Sequence, residues 1–128
     1  MDELLEFLPI FEHPNEAWIE DVRGGEGLPD GVTTTRYPEY REAVVDFFMR
    51  AGQPWWSDTG YSPAEAGRMI ADDHRIARAS LSEIRTMLTY CVRGERFADG
   101  HWDRMLRDGR VLALLRRLRE LRNRIDPD

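Results

Sequence analysis

Apolar positions recur at helical spacing over most of this chain and at strand spacing only near its front. The clearest run is the last. Val111, Leu114, Leu118, Leu121 and Ile125 follow one another at alternating intervals of three and four, and Leu112 and Leu115 widen the stripe. That is the a/d seam of a helix that buries one side. Upstream, Leu81, Ile84, Leu88 and Cys91 mark a second helix, opened by Ser80-Leu81-Ser82-Glu83 and closed by Gly94. Ser at the cap with Glu three residues on is capping-box spacing, each side chain satisfying an amide that a helix start leaves orphaned. Ser62-Pro63-Ala64-Glu65 repeats that spacing with Pro at the first helical position, where a missing N–H costs nothing. Tyr40, Val44, Phe47 and Phe48 share a third face that ends near Gly52. Asp99 can cap a short helix that runs through Met105 and Leu106 and stops at Gly109.

The front is different. Leu4, Leu5, Phe7, Leu8 and Phe11 suit a short apolar helix whose last turn Pro9 distorts. Residues 13–31 are broken by Pro14, Gly24, Gly25, Gly27, Pro29 and Gly31, and within them Ala17–Val22 reads as a short strand. Val32–Tyr37 is β-branched and is the best strand in the chain. The pattern predicts one α+β domain over residues 1–128, predominantly helical, with about five helices and a small N-terminal β-hairpin. There is no internal repeat, low-complexity tract or dividing linker.

Composition narrows the class. The 128 residues are 41% hydrophobic and 10% aromatic, which is globular and not disordered. A domain of this size buries roughly two thirds of its unfolded surface without a staple. A single cysteine, Cys91, excludes an internal disulfide and fits a reducing compartment; on its apolar stripe it reads as a buried structural thiol. No run approaches the roughly 18 apolar residues of a membrane span. The acidic start MDELLEFLPIF lacks the basic region of a signal peptide. The expectation is a cytoplasmic protein with no membrane contact.

Charge is divided unevenly. Residues 1–74 carry 16 Asp and Glu against 5 Arg, and residues 75–128 carry 8 against 13, so the net of −6 hides two opposed halves. All 18 basic residues are Arg. A P-loop lysine, a Schiff-base lysine and a lysine general base are therefore excluded, and any anion must be held by the flat, permanently charged fork of Arg. The last helix interleaves Arg110, Arg116, Arg117, Arg119, Arg122 and Arg124 with its apolar positions. Their nearest complement is the acidic first half of the same chain. An overall acidic chain is a poor nucleic-acid binder. The other use of that helix is a homodimer through the seam of Val111, Leu114, Leu118 and Leu121.

The densest polar stretch is Arg93-Gly94-Glu95-Arg96-Phe97-Ala98-Asp99-Gly100-His101-Trp102, at a junction between two helices. Arg93 and Arg96 can grip one phosphate or carboxylate. Glu95, Asp99 and His101 are the weak candidates for acid–base catalysis. The plainer alternative has Glu95 and Asp99 pairing with Arg93, Arg96 or Arg104 to fix the corner, or Asp99 acting only as a cap. A second constellation joins Trp55 and Trp56 to Asp58 and Tyr61, aromatics that can line a pocket or stack on a flat ligand, although one of such a pair usually plugs the core. Tyr37, with Thr33, Thr34, Thr35 and Tyr40, adds hydroxyls near the strand. His13, His74 and His101 are far apart, and Asp72-Asp73-His74 offers two ligands at most, so neither a metal nor another cofactor is expected. No G-x-S-x-G, H-E-x-x-H or G-x-G-x-x-G occurs.

From Ser80 to Leu121 the chain resembles a family of small bacterial and archaeal proteins of unknown function. The shared features are Leu88-Thr89 with Arg93, then Glu95-Arg96-Phe97 with Gly100, then Gly109 and Val111 through Leu118. This R-x-[DE]-R-F-x2-G corner precedes a C-terminal helix pair, and Arg110 intrudes between the glycine and the aliphatic residue. The front, DELLEFLPIFE and TTTRYPEY, is similar too, and the region of Trp55-Trp56 less so. The resemblance implies that the Arg-Glu-Arg-Phe corner is a family feature and implies no activity.

The residues together suggest a small binding or regulatory module that recognises an anionic small molecule or an acidic protein segment. Arg93 and Arg96 would hold the charge, with Trp55, Trp56, Trp102 and Tyr37 in support. The alternatives are a small hydrolase or transferase acting on a phosphorylated or nucleotide substrate, and a homodimeric structural protein.

Overall fold

The computed structural model describes residues 1–12, 18–23, 37–96, 98 and 100–125. Helix α1 (Asp2–Leu5) is followed at once by α2 (Leu8–Phe11). Pro9 sits in the first turn of α2 and does not distort the end of a longer helix. The fixed φ of proline suits a helix start, so the apolar run divides at residues 6–7. Strands β1 (Ile19–Arg23) and β2 (Tyr37–Tyr40) pair antiparallel, Ile19 opposite Tyr40 and Arg23 opposite Tyr37.

The α+β expectation is corrected here: the fold is predominantly helical. The expected hairpin of Ala17–Val22 with Val32–Tyr37 is not the observed pairing, because the second strand begins where the expected one would end. Ala17 and residues 32–36 lie outside the described residues. A two-stranded ladder makes no layer of its own, and helices supply nearly all of the buried core. Tyr40 closes β2 instead of opening a helix, since Arg41 is still extended (φ −60°, ψ 150°) as the N-cap of α3 (Glu42–Ala51).

After a 3₁₀ turn at Pro54–Trp56 come α4 (Pro63–Ile70), α5 (Asp73–Ala77), α6 (Leu81–Gly94), α7 (His101–Arg107) and α8 (Arg110–Ile125). More helices are present than the expected five. The starts of α4 and α6 are written in the sequence, and α5 has a side-chain cap as well. Ser62 Oγ accepts from Glu65 N at 3.3 Å, and Asp72 Oδ1 accepts from His74 N at 2.9 Å. Ser80 and Glu83 form the reciprocal capping box at 3.1 and 3.0 Å. Asp72 is thus occupied as a helix cap. Gly109, at φ 75°, makes the left-handed turn between α7 and α8 that a side chain would strain.

Helix α8 packs against α1, α2, α5, α6 and α7. Val111, Leu114, Leu115 and Leu118 are at most 1% exposed. The seam offered above to a second copy is therefore corrected: Val111, Leu114 and Leu118 are consumed inside the chain, and Leu121 is half-buried against the same core. Two α8 arginines do meet the acidic first half. Arg110 pairs with Asp73 at 2.6 Å, and Arg122 pairs with Asp2. Arg117 donates to the Ala79 carbonyl at 2.9 Å. At the other end, Phe47 of α3 meets Phe7, Phe11 and Phe48 edge-on at centroid distances of 5.1 to 5.5 Å, which ties α2 and its N-cap Phe7 to α3. Among the described residues no helix is long and apolar enough to cross a membrane.

Candidate functional site

Three pieces of chain meet where the C-terminal end of α6 turns into α7. The first is the loop before α4. Asp58 fastens it to α6: its N–H donates to Thr89 Oγ1 at 2.9 Å and its Oδ2 accepts from Thr86 Oγ1 at 2.8 Å. Thr86 and Thr89 are three apart and so share a helix face. Asp58 Oδ1 also accepts from Gly60 N at 3.1 Å, which folds the loop back toward Tyr61. The guanidinium of Arg93, near the end of α6, lies over the Tyr61 ring at 5.4 Å from its centroid.

The second piece is the corner itself. Glu95 accepts three hydrogen bonds: Oε1 from Tyr40 Oη (2.8 Å) and Trp102 N (2.9 Å), and Oε2 from Gly100 N (2.9 Å). Two of these are amides at the start of α7, so Glu95 does from a distance what an N-cap does locally. Burial, and then the Glu95 carboxylate, push the Tyr40 phenol above its ordinary pKa, which keeps it a donor. Gly100, the N-cap position of α7, has φ 87° and contributes no side-chain cap. Asp99, expected as that cap and as a weak catalytic candidate, lies outside the described residues, as does Phe97.

The third piece is His101. Its ring sits edge-on to Tyr90 at 5.1 Å and fills the space where a β-carbon on Gly94 would be, well inside van der Waals contact. His101 is 6% exposed, and its Nε2 has no hydrogen-bond partner. Burial, and next the Arg104 charge, lower its pKa; Glu95 and the Tyr90 main chain act the other way. The imidazole is therefore neutral at neutral pH. Tyr61, Pro63, Tyr90, Gly94 and His101 enclose a cavity of about 400 Å³. Among the described residues no three His, Cys, Asp or Glu side chains are placed to hold a metal.

The remaining candidates are scattered. Trp56 is 3% exposed and donates from Nε1 to Glu3 Oε1 at 2.9 Å, while Trp55 is 58% exposed. Trp102 lies parallel to Phe48 at 4.5 Å and donates to the Val92 carbonyl at 3.1 Å, so one ring face and its N–H are used inside the fold. Arg96 is exposed and makes no ion pair with another described residue. Tyr37 opens β2 opposite Arg23, and it is Tyr40, at the other end of that strand, that bonds to Glu95. Cys91 is fully buried, and burial pushes its thiol far above the ordinary range. Of the expected residues the structure brings together Arg93, Glu95 and His101, with Tyr61.

Gly94 and His101, within and just after the corner that carried the resemblance, line the cavity. The chain belongs to the DUF6508 family. This is a family of unknown function, and the match spans residues 1–124. No curated protein and no solved structure matches the chain. Pro63, Tyr90 and Gly94 had no signal as cavity residues. Pro63 read as a helix start, Gly94 as a helix end, and Tyr90 carried no motif at all.

Proposed function

We propose that this protein is a binding module that takes a small organic anion into the cavity between α4, α6 and α7. One observation carries the reading: a mostly apolar, aromatic cavity has Tyr61 in its wall, and the Arg93 guanidinium lies over that ring. A guanidinium held by a ring through its charge still has its N–H donors to offer an acceptor. Arg93 makes no ion pair with another described residue. The volume falls in the range of ligand pockets, roughly 300–1,000 Å³. In this reading Glu95 is a brace, because three donors occupy its oxygens.

A ligand that binds only the folded chain raises its melting temperature, by an amount that follows from RT ln(1 + [L]/Kd). A thermal-shift panel of organic acids at millimolar concentration is expected to stabilise the native sequence for at least one member. Arg93→Met keeps the apolar stem and is expected to melt normally without ligand and to lose that response. A flat profile across the panel, or an undiminished response in the variant, would count against the reading.

A further inference from the structure

We infer that the anion taken by this cavity is an aromatic monocarboxylate. The inference rests on the binding reading above and narrows it from the chemistry of the wall and the shape of the Arg93 fork.

The first is surface chemistry. The cavity is walled by the rings of Tyr61 and Tyr90, the imidazole of His101 and the pyrrolidine of Pro63, with Gly94 adding no side chain. Two of these rings are held in place: Tyr90 meets His101 edge-on, and His101 occupies the side-chain space of Gly94. The Nε2 of His101 is sealed from solvent, so the histidine presents ring surface to an occupant and not a free polar atom. Beyond the two phenol hydroxyls, the lining side chains offer a polyol or sugar few partners, and most of its hydroxyls would lose their water for nothing. A flat π body loses little on desolvation and finds aromatic walls for offset or edge contacts.

The second is charge. The Arg93 guanidinium lies over the ring of Tyr61, a wall residue. A carboxylate carries one negative charge and fits a single Arg fork with two parallel hydrogen bonds. A phosphate monoester brings a charge of about −1.5 to −2 and three strong acceptor oxygens, more than one fork can satisfy.

Isothermal titration calorimetry on the full chain near neutral pH separates these terms with four probes. 2-Naphthoate carries the ring and one charge, 2-naphthamide the ring alone, 2-naphthyl phosphate the ring with a larger charge, and cyclohexanecarboxylate the charge without a π face. Naphthoate is expected to bind at least tenfold more tightly than each of the other three. In Tyr90→Leu naphthoate is expected to lose at least fivefold, with cyclohexanecarboxylate changed less than twofold. If naphthyl phosphate binds as tightly, the monocarboxylate class is overturned and the anion cavity stands. Equal affinity for cyclohexanecarboxylate overturns the aromatic requirement alone. Silence from all four overturns the inference, and the thermal-shift response of Arg93→Met then decides the parent reading separately.

Discussion

Gly94 and His101 share one space, and that pairing is the most exposed commitment at the scale of single residues. In Gly94→Ala the new methyl group must displace a buried ring. The expected loss is about 1–3 kcal/mol, the usual cost of overpacking. Adding His101→Ala should return much of it, with a coupling above about 1 kcal/mol in a double-mutant cycle; simply additive losses would mean the two do not touch. Glu95→Gln exchanges one acceptor oxygen for an amide donor facing other donors. We expect a loss of about 1–3 kcal/mol in urea denaturation, and an unchanged midpoint would show that the corner does not depend on its charge. His101 also sets a pH dependence. The groups that act on it are Arg104, Glu95 and the Tyr90 main chain, and burial is the largest cause of its lowered pKa. The unfolded chain takes up a proton at about 6.5, whereas the folded chain resists until a lower pH. This stabilisation is therefore present above about 6.5 and declines as pH falls from there through the folded value. His101→Phe should flatten that decline, and an identical profile would contradict it. Glu3, which hydrogen bonds from the N-terminal amine and Trp56 hold down to about pKa 2, acts between 4.5 and 2 and leaves the upper window clear. At this scale the sequence allowed one of Trp55 and Trp56 as a core plug, and Trp56 is that residue while Trp55 is exposed. It was silent on Tyr90, whose role comes from what the fold lays beside it.

At the scale of elements, legibility followed periodicity and caps. Helices α3, α4, α6 and α8 carry apolar stripes over two turns or more, and the starts of α4 and α6 have side chains that match their cap positions. Ser80→Ala is expected to cost about 1 kcal/mol, read from thermal or chemical unfolding. Helix α5 was missed because five residues that bury one side chain, Ile76, show no period. The strands were misplaced for a related reason. β-propensity records fit to a pleated surface and not position, so the threonines of Val32–Tyr37 drew attention from Tyr37–Tyr40. The seam of α8 was read correctly as apolar, but its partner was open between a second copy and this chain's own core. Leu118 is fully buried. Leu118→Asp should therefore unfold the chain, since a buried unpaired carboxylate costs several kcal/mol. A folded monomer from that variant would place Leu118 at an interface.

For the whole molecule, the divided charge does less than its size suggests. The Asp73–Arg110 and Asp2–Arg122 pairs join the two halves, but the carboxylates in both are largely exposed. Such pairs are worth about 0–1 kcal/mol and weaken with salt. The halves are held mainly by the packing of α8 against the helices before it. The cavity belongs to this scale as well. Residues 61, 63, 90, 94 and 101 come from a loop and three helices, and only Tyr61 and the stretch from Arg93 to Trp102 stood out in sequence. Spacing along a chain reports neighbours on one element, and a cavity is made by neighbours on several. The central claim is that this cavity is where an organic anion binds. The most direct test is a map of backbone amide shifts during titration with 2-naphthoate. Perturbations should cluster at Tyr61, Tyr90, Arg93, Gly94 and His101 and vanish in Arg93→Met. Shifts centred elsewhere, or none at saturating probe, would contradict the account.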